Sequence, residues 1–597
     1  MIFFIFTSCA EKKQFNGFEY SSNKKEITII RYSGEEKNLI IPDIIKKLPV
    51  TTIGVSAFAG LQLTSVVIPE TVTNIEIGAF SGNLLTSIII PDSVTIIESG
   101  AFTGNLITDI IIPNSVITIE ELAFAGNQLT NIVIPNSITA IENNVFRGNR
   151  LVSVTIPDSV ISIGDYAFGD NQLSTVLIGS NITSIGNYAF ANNKLTDISI
   201  PNSLTTLESY VFAGNLLTDI SIPESIKIIG EGAFSQNMLT SVTIPNSVTL
   251  IGKAAFLENQ IIKISIPNSI TEINESVFSK NRLTDIDIPN SVITIGDNAF
   301  YTNQLTDIAI PDSVTSIGNF AFADNLITTM NIPNSVIFLG SYAFAGNRLT
   351  AVNIPNSVVT IGDYAFFRNQ LTHIIIPDSV TSIGDRAFSF NQISSITLPD
   401  NVDIQLCSFY VSLYIKYINS EKQKASYRIS SMRNNDYEIA ILDNTTAEIT
   451  RYRGRDTEII IPERINNIPV TTIGEYAFTG LQLTSITIPD SIIAIGNNAF
   501  AGTRLTDITT PDTILFIGSD AFRESQINNV ILSNSLTSIR EFTFFGNKLT
   551  SIIIPNSVTT IGKSAFTRNN LTNVIIPNSV VSLNDEAFDA EVIVTRE

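Results

Sequence analysis

The chain contains 597 residues, of which 44% are hydrophobic, and it carries a formal net charge of −21 at pH 7. This negative charge repels phosphate backbones and anionic lipid headgroups, so the composition argues against nucleic-acid binding. Because the sequence contains only two cysteines and one histidine, it lacks both a disulfide framework and a Cys/His metal site. Packing and hydrogen bonds must therefore hold the fold together.

Residues 1–14 open with the apolar run MIFFIF, which is too short to span a bilayer. Phe6, Thr7, Ser8 and Cys9 then resemble a relaxed bacterial lipobox, in which the cysteine becomes the lipidated first residue of the mature protein. We therefore expect a lipoprotein signal and tether at 1–14, with membrane contact only through a lipid anchor on Cys9. The alternative is a disordered apolar N-terminus without a lipid.

Residues 15–41 alternate apolar and polar positions and are interrupted by the polar clusters SSNKK and SGEEK. Alternation with two turn clusters predicts a small antiparallel β cap. A similar text recurs at 436–459, which we interpret as a second cap. The same entry phrase follows each copy, LPVTTIG at 48–54 and IPVTTIG at 468–474, so the chain starts a repeat array twice.

Both arrays repeat every 22 residues, most visibly at one proline and one phenylalanine per coil: Pro69, Pro91, Pro113 and Phe58, Phe80, Phe102. A fixed period of this length is typical of a solenoid, in which each coil stacks only on its neighbours. Sixteen coils form array 1, residues 42–399, and six form array 2, residues 460–597. The sequence thus predicts two stacked arrays of 22-residue coils with parallel β-sheet, each preceded by an antiparallel β cap.

The coil at 85–106 shows what each position is expected to do. Ser87 and Ile89 should point outward from a short strand, while the flanking isoleucines point inward. Pro91 should end the strand because it cannot donate a hydrogen bond to a ladder. Val94 and Ile97 are expected to form a second inward pair in a brief extended segment. Phe102 is expected to fill the interior from a single turn of helix or 3₁₀ helix.

One asparagine recurs at the same register of fifteen consecutive coils, from Asn83 to Asn391. A buried polar side chain repeated in this way must be hydrogen-bonded, most simply to the turn backbone of its own and adjacent coils. In array 2 the position holds Thr503 and Ser525 before asparagine returns at Asn547. The sequence therefore predicts an asparagine ladder that is less regular at the start of array 2.

Between the arrays, residues 400–435 lose the pattern. We interpret them as a degenerate coil around Cys407, followed by a closing hairpin or linker. Fewer contacts are expected to cross this join than cross any pair of coils, so the sequence places a hinge here. A buried, small apolar residue is the expected role of Cys407 because no second cysteine or histidine lies nearby in sequence.

The repeat LxxIxIPxSVxxIGxxAFxxN, together with the entry phrase, resembles the BspA-like (Treponema pallidum type) leucine-rich repeats of bacterial surface proteins. The resemblance covers about nine-tenths of the chain and implies a leucine-rich repeat solenoid. Members of that family are implicated in adhesion to matrix proteins and to other cells, without enzymatic activity. The resemblance implies only a class of function, since one fold hosts many functions.

The sequence offers no recognisable active site. A single histidine, His373, excludes an HExxH motif, and its strand position is expected to face solvent. No Gly-rich phosphate loop is present, and no carboxylate pair stands out from the acidic background. We therefore expect no enzyme activity and no cofactor.

Outward strand positions hold the candidate partner-binding residues. Apolar stripes are expected in array 1 at Val67, Ile89, Ile111 and Val133, and in array 2 at Ile531, Ile553 and Ile575. Acidic residues gather at Asp197, Asp219, Asp285, Asp287 and Asp307. An exposed apolar stripe suggests a contact site, although β-branched residues also simply suit strands. Asp285, Asp287 and Asp307 fit either a cation such as Ca²⁺ or a solvated acidic face.

Three functional hypotheses follow. The leading one is a cell-surface or secreted adhesin-like protein, anchored through Cys9, that binds a protein or glycan on another cell or in the extracellular matrix. The second is a structural envelope protein whose stripes mediate self-association. The third is an intracellular scaffold, which is favoured only if Cys9 is not lipidated.

Overall fold

The computed structural model describes residues 13–405 and 408–596, so that both Cys9 and Cys407 lie outside the described residues. The chain divides into two compact units, Met1–Val314 and Thr315–Glu597. Both are stacks of the predicted 22-residue coil. Each coil contributes an outward-facing front segment, called the front strand where it is extended, and a two-residue side strand.

The coil at 85–106 has the predicted inward and outward pattern. Its front strand, Ser87–Ile89, pairs in parallel and in register with Asp109–Ile111. Ile88 is buried and Ile89 is exposed, as the alternation of a strand requires. The side strand Ile96–Ile97 pairs in parallel with its counterparts in both neighbouring coils. The stack is therefore hydrogen-bonded along two sides of every such coil.

In the first unit the front strands are Asn38–Ile40, Ser65–Val67, Ser87–Ile89, Asp109–Ile111, Ser153–Thr155, Thr175–Leu177, Ser241–Thr243, Lys263–Ser265 and Asp307–Ala309. The side strands are Asn74–Ile75, Ile96–Ile97, Thr118–Ile119, Ala140–Ile141, Ser162–Ile163, Ser184–Ile185, Thr206–Leu207, Ile228–Ile229, Leu250–Ile251, Glu272–Ile273 and Thr294–Ile295. Coils without an assigned front strand keep the same burial pattern, as Ile132 and Val133 show.

An antiparallel cap precedes the first coil, as predicted. Its strands are Lys13–Phe15, Phe18–Ser22 and Ile27–Tyr32, paired in that order. The last of them pairs in parallel with Leu48–Ile53, which also forms a hairpin with Ile44–Ile45. On its other side, Leu48–Ile53 pairs in parallel with the first side strand, Asn74–Ile75. The cap thus covers the edge that the first side strand would otherwise expose.

Two ladders run through the interior. The phenylalanines from Phe58 to Phe300 stack face to face in the first unit, for example Phe80 on Phe102 with centroids 5.4 Å apart. Beside them, Asn105 Nδ2 donates to the carbonyl oxygens of Phe80 and Phe102 at 2.9 and 3.1 Å, and its Oδ1 accepts from the Leu85 amide at 3.2 Å. This arrangement recurs from coil to coil and confirms the predicted asparagine ladder.

The phenylalanine segment differs from the expected turn of helix. It forms successive hydrogen-bonded turns, in which the Ala101 amide donates to Glu98 O and the Thr103 amide to Gly100 O. Gly100 has φ +62°, and residues at the same register, such as Tyr166 and Tyr188, are also left-handed. A left-handed residue inside the segment interrupts a right-handed helix, so only turns remain.

The second unit has front strands Thr329–Asn331, His373–Ile375, Ser395–Leu398, Glu458–Ile460, Ser485–Thr487, Asp507–Thr509, Asn529–Ile531, Asn573–Ile576 and Ile593–Arg596. Its side strands are Ser316–Ile317, Phe338–Leu339, Thr360–Ile361, Ser382–Ile383, Asp403–Ile404, Ala494–Ile495, Phe516–Ile517, Ser538–Ile539, Thr560–Ile561 and Ser582–Leu583. The second antiparallel cap contains the strands Ala425–Asn434, Tyr437–Leu442 and Thr446–Tyr452. The last of these strands pairs in parallel with Ile468–Ile473. Ile468–Ile473 also forms a hairpin with Arg464–Ile465.

The segment between the arrays is not the hairpin expected from the sequence. Phe409 stacks on Phe388 at 4.9 Å, so the degenerate coil extends the phenylalanine ladder by one step. Residues Val411–Asn419 then form a helix, which buries Leu413 and Tyr417, one turn apart. No helix among residues 13–405 and 408–596 is long and apolar enough to cross a bilayer.

The strand Ala425–Asn434 belongs to both arrays. Its first part, up to Arg428, pairs antiparallel with the last front strand of array 1, Ser395–Leu398. From Ile429 onward it pairs with the cap strand Tyr437–Leu442 of array 2. The expected hinge is therefore bridged by a continuous strand, because one ten-residue strand is long enough to serve two sheets.

Restoring the ladder in array 2 should stabilise the fold. Thr503 Oγ1 donates only to Phe500 O, at 2.9 Å. Asparagine at this register would also reach Phe478 O and accept from the Leu483 amide, as its counterparts do. We expect Thr503→Asn to raise the free energy of unfolding by about 1 kcal/mol, measured by urea unfolding followed by circular dichroism.

The reciprocal change in the first unit provides the matched control. Asn105→Thr should lower the free energy of unfolding by about 1 to 3 kcal/mol, because it leaves buried backbone groups unpaired. Equal stability of both variants and the native chain would contradict a structural role for the ladder.

Candidate functional site

The predicted apolar stripe lies exposed on the front face of the first unit. Val67 is 56% exposed and Ile89 82%, while Ile111 and Val133 are each 79% exposed. Ile89 and Ile111 are direct partners across two parallel strands. Neighbouring strands lie about 4.8 Å apart, so these side chains form one continuous row.

The row is longer than the sequence indicated. Ile40, at the end of the first front strand, pairs in register with Val67 and is 72% exposed. The sequence pattern does not reveal Ile40, because its strand, Asn38–Ile40, belongs to the front sheet but lies within the range 15–41 predicted for the cap. We call Ile40, Val67, Ile89, Ile111 and Val133 the front stripe. Five positions at strand spacing make it about 19 Å long.

The second unit presents the other predicted stripe. Ile531, Ile553 and Ile575 are all exposed on consecutive coils. Ile460 occupies the same register at the start of array 2 and is exposed as well. The two coils between Ile460 and Ile531 carry threonine at this register, Thr487 and Thr509. This stripe is thus shorter than the front stripe.

The acidic residues Asp197, Asp219, Asp285, Asp287 and Asp307 all lie exposed on the front face of the first unit. Two of them bond to their own backbone, since Asp219 Oδ1 accepts from the Ile220 amide and Asp307 Oδ1 from the Ile308 amide, both at 2.9 Å. Within residues 13–405 and 408–596, no group of three or more His, Cys, Asp or Glu side chains could hold a metal ion.

His373 has the predicted exposed position on a front strand, where its Nδ1 lies 2.9 Å from Thr372 Oγ1. That hydroxyl cannot serve as an orienting acid, and no other histidine exists in the sequence.

An ion pair that the sequence did not reveal lies where the two arrays meet. Arg386, in the last regular coil of array 1, donates to the Glu475 carboxylate in the first coil of array 2, and both side chains are largely buried. The guanidinium carbon lies 5.5 Å from the ring centroid of Tyr364 and 5.9 Å from that of Tyr476. Arg386 thus contacts two tyrosines that occupy equivalent positions in different arrays, and it also donates a hydrogen bond to the Tyr364 hydroxyl.

A second buried acid fixes the helix at the join. Glu448, on the cap strand Thr446–Tyr452, is 3% exposed, and its Oε2 accepts from the Ser412 amide at 2.9 Å. Ser412 is the second residue of the helix Val411–Asn419, so the carboxylate satisfies a free amide at the helix N-terminus. Burial raises the pKa of Glu448, while the amide hydrogen bonds oppose that rise.

Together, the repeats and their two ladders define the chain as a leucine-rich repeat solenoid. A family model described as a BspA type leucine-rich repeat region matches residues 32–151, 142–260, 205–327, 315–438 and 471–593. The chain belongs to the BspA-type leucine-rich repeat family, which confirms the resemblance seen in its repeats.

Among solved structures, YopM from Yersinia enterocolitica WA-314 shares 16% identity over 85% of this chain and 89% of its own, with a TM-score of 0.38. A leucine rich cell surface protein from Faecalibacterium prausnitzii A2-165 shares 18% sequence identity over 99% of this chain and 96% of its own, with a TM-score of 0.24. The Treponema pallidum leucine-rich repeat protein shares 18% sequence identity over 47% of this chain and 83% of its own, with a TM-score of 0.17. These scores are too low to support any functional argument, and the search of curated proteins found no match.

The join should make stability depend on pH. Burial raises the pKa of Glu475 from 4.5 to about 7, against the opposing attraction of Arg386. Between these two values the folded chain keeps a proton that the unfolded chain has lost. The contribution of Glu475 to the free energy of unfolding should therefore fall as pH rises from about 4.5 to 7 and level off above that range.

Glu475→Gln removes this titration. The free energy of unfolding of the variant minus that of the native chain, measured by urea unfolding, should therefore be larger at pH 8 than at pH 5. Glu541→Gln, a substitution of an exposed glutamate, serves as the control. An identical stability difference at both pH values would contradict the assignment.

Proposed function

We propose that this chain is a non-enzymatic cell-surface protein that binds a partner protein on another cell or in the extracellular matrix through its front sheet. The front stripe is the observation that carries this proposal. It presents five branched apolar side chains to solvent on neighbouring segments of a sheet. A continuous apolar row of this kind is unusual on a surface that no partner covers.

The surroundings of the stripe fit a protein interface. The first outward position of the same segments is polar and exposed in every coil, at Ser65, Ser87, Asp109 and Asn131. An apolar centre with a polar border is the usual composition of a protein contact surface. The stacked coils also hold the row rigid, so little conformational entropy is lost when a partner binds.

Cell-surface location and anchoring through Cys9 belong to the same proposal. Their support is membership of the BspA-type family and the lipobox-like text before Cys9. Self-association is the second candidate, favoured by the same exposed row and by the stripe at Ile531, Ile553 and Ile575. A second copy of the chain would then occupy the surface that the first candidate reserves for another protein.

Replacing four residues of the front stripe should weaken binding without loss of the fold. The variant carries threonine at the four predicted positions: Val67→Thr, Ile89→Thr, Ile111→Thr and Val133→Thr. Thr155 already occupies this register, so the strand tolerates the change. Adhesion of the purified chain to immobilised matrix proteins and to cultured cells should weaken by about tenfold or more, since buried apolar anchors dominate interface affinity.

The matched control carries Ile117→Thr and Ile161→Thr, which remove exposed isoleucines outside the front strands. The control should bind like the native chain. Native-like adhesion of the stripe variant, with an unchanged circular dichroism melt, would exclude the stripe as the adhesion site. Concentration-dependent sedimentation that the stripe variant abolishes, without any loss of adhesion, would instead assign the stripe to self-association.

A further inference from the structure

A groove of about 500 Å³ opens in the second unit beside the join between the arrays. Its lining includes four aromatic residues, Phe367, Phe390, Tyr452 and Tyr476, and three arginines, Arg368, Arg451 and Arg453. Phe390 is 52% exposed, and its ring centroid lies 5.8 Å from that of Tyr476. The volume is that of a pocket for a small ligand or for a few residues of a partner.

The groove is locally basic on a strongly acidic chain. Arg453 pairs with Glu438 at 2.8 Å, and the lining acid Glu475 is bonded to Arg386. Within the described residues, neither Arg368 nor Arg451 has a carboxylate within salt-bridge distance, and both are exposed. Glu438 is the cross-strand partner of Arg451, but its carboxylate is bonded to Arg453. Two guanidinium groups without an ion-pair partner among the described residues therefore border the groove, while the chain as a whole carries a net charge of −21.

We propose that this groove binds an acidic segment of a partner protein, in which a carboxylate side chain lies next to an apolar one. The carboxylate would be held by Arg451 and Arg368, whose planar guanidinium groups match the geometry of two carboxylate oxygens. The apolar neighbour would pack against Phe390 and Tyr476. This site is separate from the front stripe and does not depend on it.

The ring contacts favour a peptide over an acidic sugar. The Arg368 guanidinium carbon lies 5.2 Å from the ring centroid of Phe367 and 5.9 Å from that of Phe390. It thereby covers ring faces on which a sugar would have to stack. Phe367 and Phe390 meet edge to face, with an interplanar angle of 71°. The exposed ring edges of such a pair suit the branched methyl groups of an aliphatic side chain.

Calorimetric titration of the full chain with short probes tests the proposal. The first probe is an acetylated and amidated pentapeptide of alternating leucine and glutamate, and the second replaces each glutamate by glutamine. We expect the glutamate peptide to bind about tenfold or more tightly than the glutamine peptide, and to weaken as salt is raised. Arg451→Gln and Arg368→Gln should each weaken it by about tenfold, whereas the exposed Arg348→Gln should not.

The outcomes separate this site from its alternatives. Absence of glutamate-peptide binding at millimolar concentration, equal binding of the two peptides, or affinity unchanged in both arginine variants would each overturn the proposal. Tighter binding of an oligogalacturonate than of the glutamate peptide would also overturn it, in favour of an acidic glycan. The variant with four threonines in the front stripe should bind the glutamate peptide normally, so failure here and failure of the proposed function are distinguishable.

Discussion

One buried asparagine per coil sets the geometry on which the rest of the molecule depends. In a regular coil its amide group donates to two phenylalanine carbonyls from adjacent coils, and its oxygen accepts from a backbone amide twenty residues earlier. These three bonds are satisfied together only if every coil has the same length. The face-to-face phenylalanine ladder shares that register and supports it independently, since it continues through the coils of array 2 that carry threonine or serine in place of the asparagine.

Because the interior residues are of the same kind in nearly every coil, residue identity varies mainly at two places, the outward front positions and the join between the arrays. The front positions change from coil to coil without cost to the core, so an apolar row there reflects a property of the surface. The join uses residues that the repeat does not supply. Arg386 and Glu475 connect coils 89 residues apart, and Glu448 holds a helix that no repeat contains. A bridging strand and a buried ion pair replace the hinge expected from the sequence.

The repeat could be predicted from the sequence because the same pattern occurs more than twenty times, and each copy tests the assignment of inward and outward residues. The front stripe could be predicted in part, but Ile40 could not, since its front strand precedes the next one by 27 residues instead of 22 (Ile40 pairs with Val67). The helix at 411–419 and the pairing of Arg386 with Glu475 left no periodic signal. Both depend on tertiary contacts that occur only once in the chain.

Photo-crosslinking from single positions tests most directly whether recognition lies on the front sheet. Benzoylphenylalanine would replace Ile89 in the front stripe or, in a second variant, Ile117 on a side segment; both native side chains are exposed. After adhesion of the full chain to immobilised matrix proteins or to cells, irradiation should link the partner to position 89 and not to position 117. Crosslinking at position 117 with none at position 89 would contradict the account.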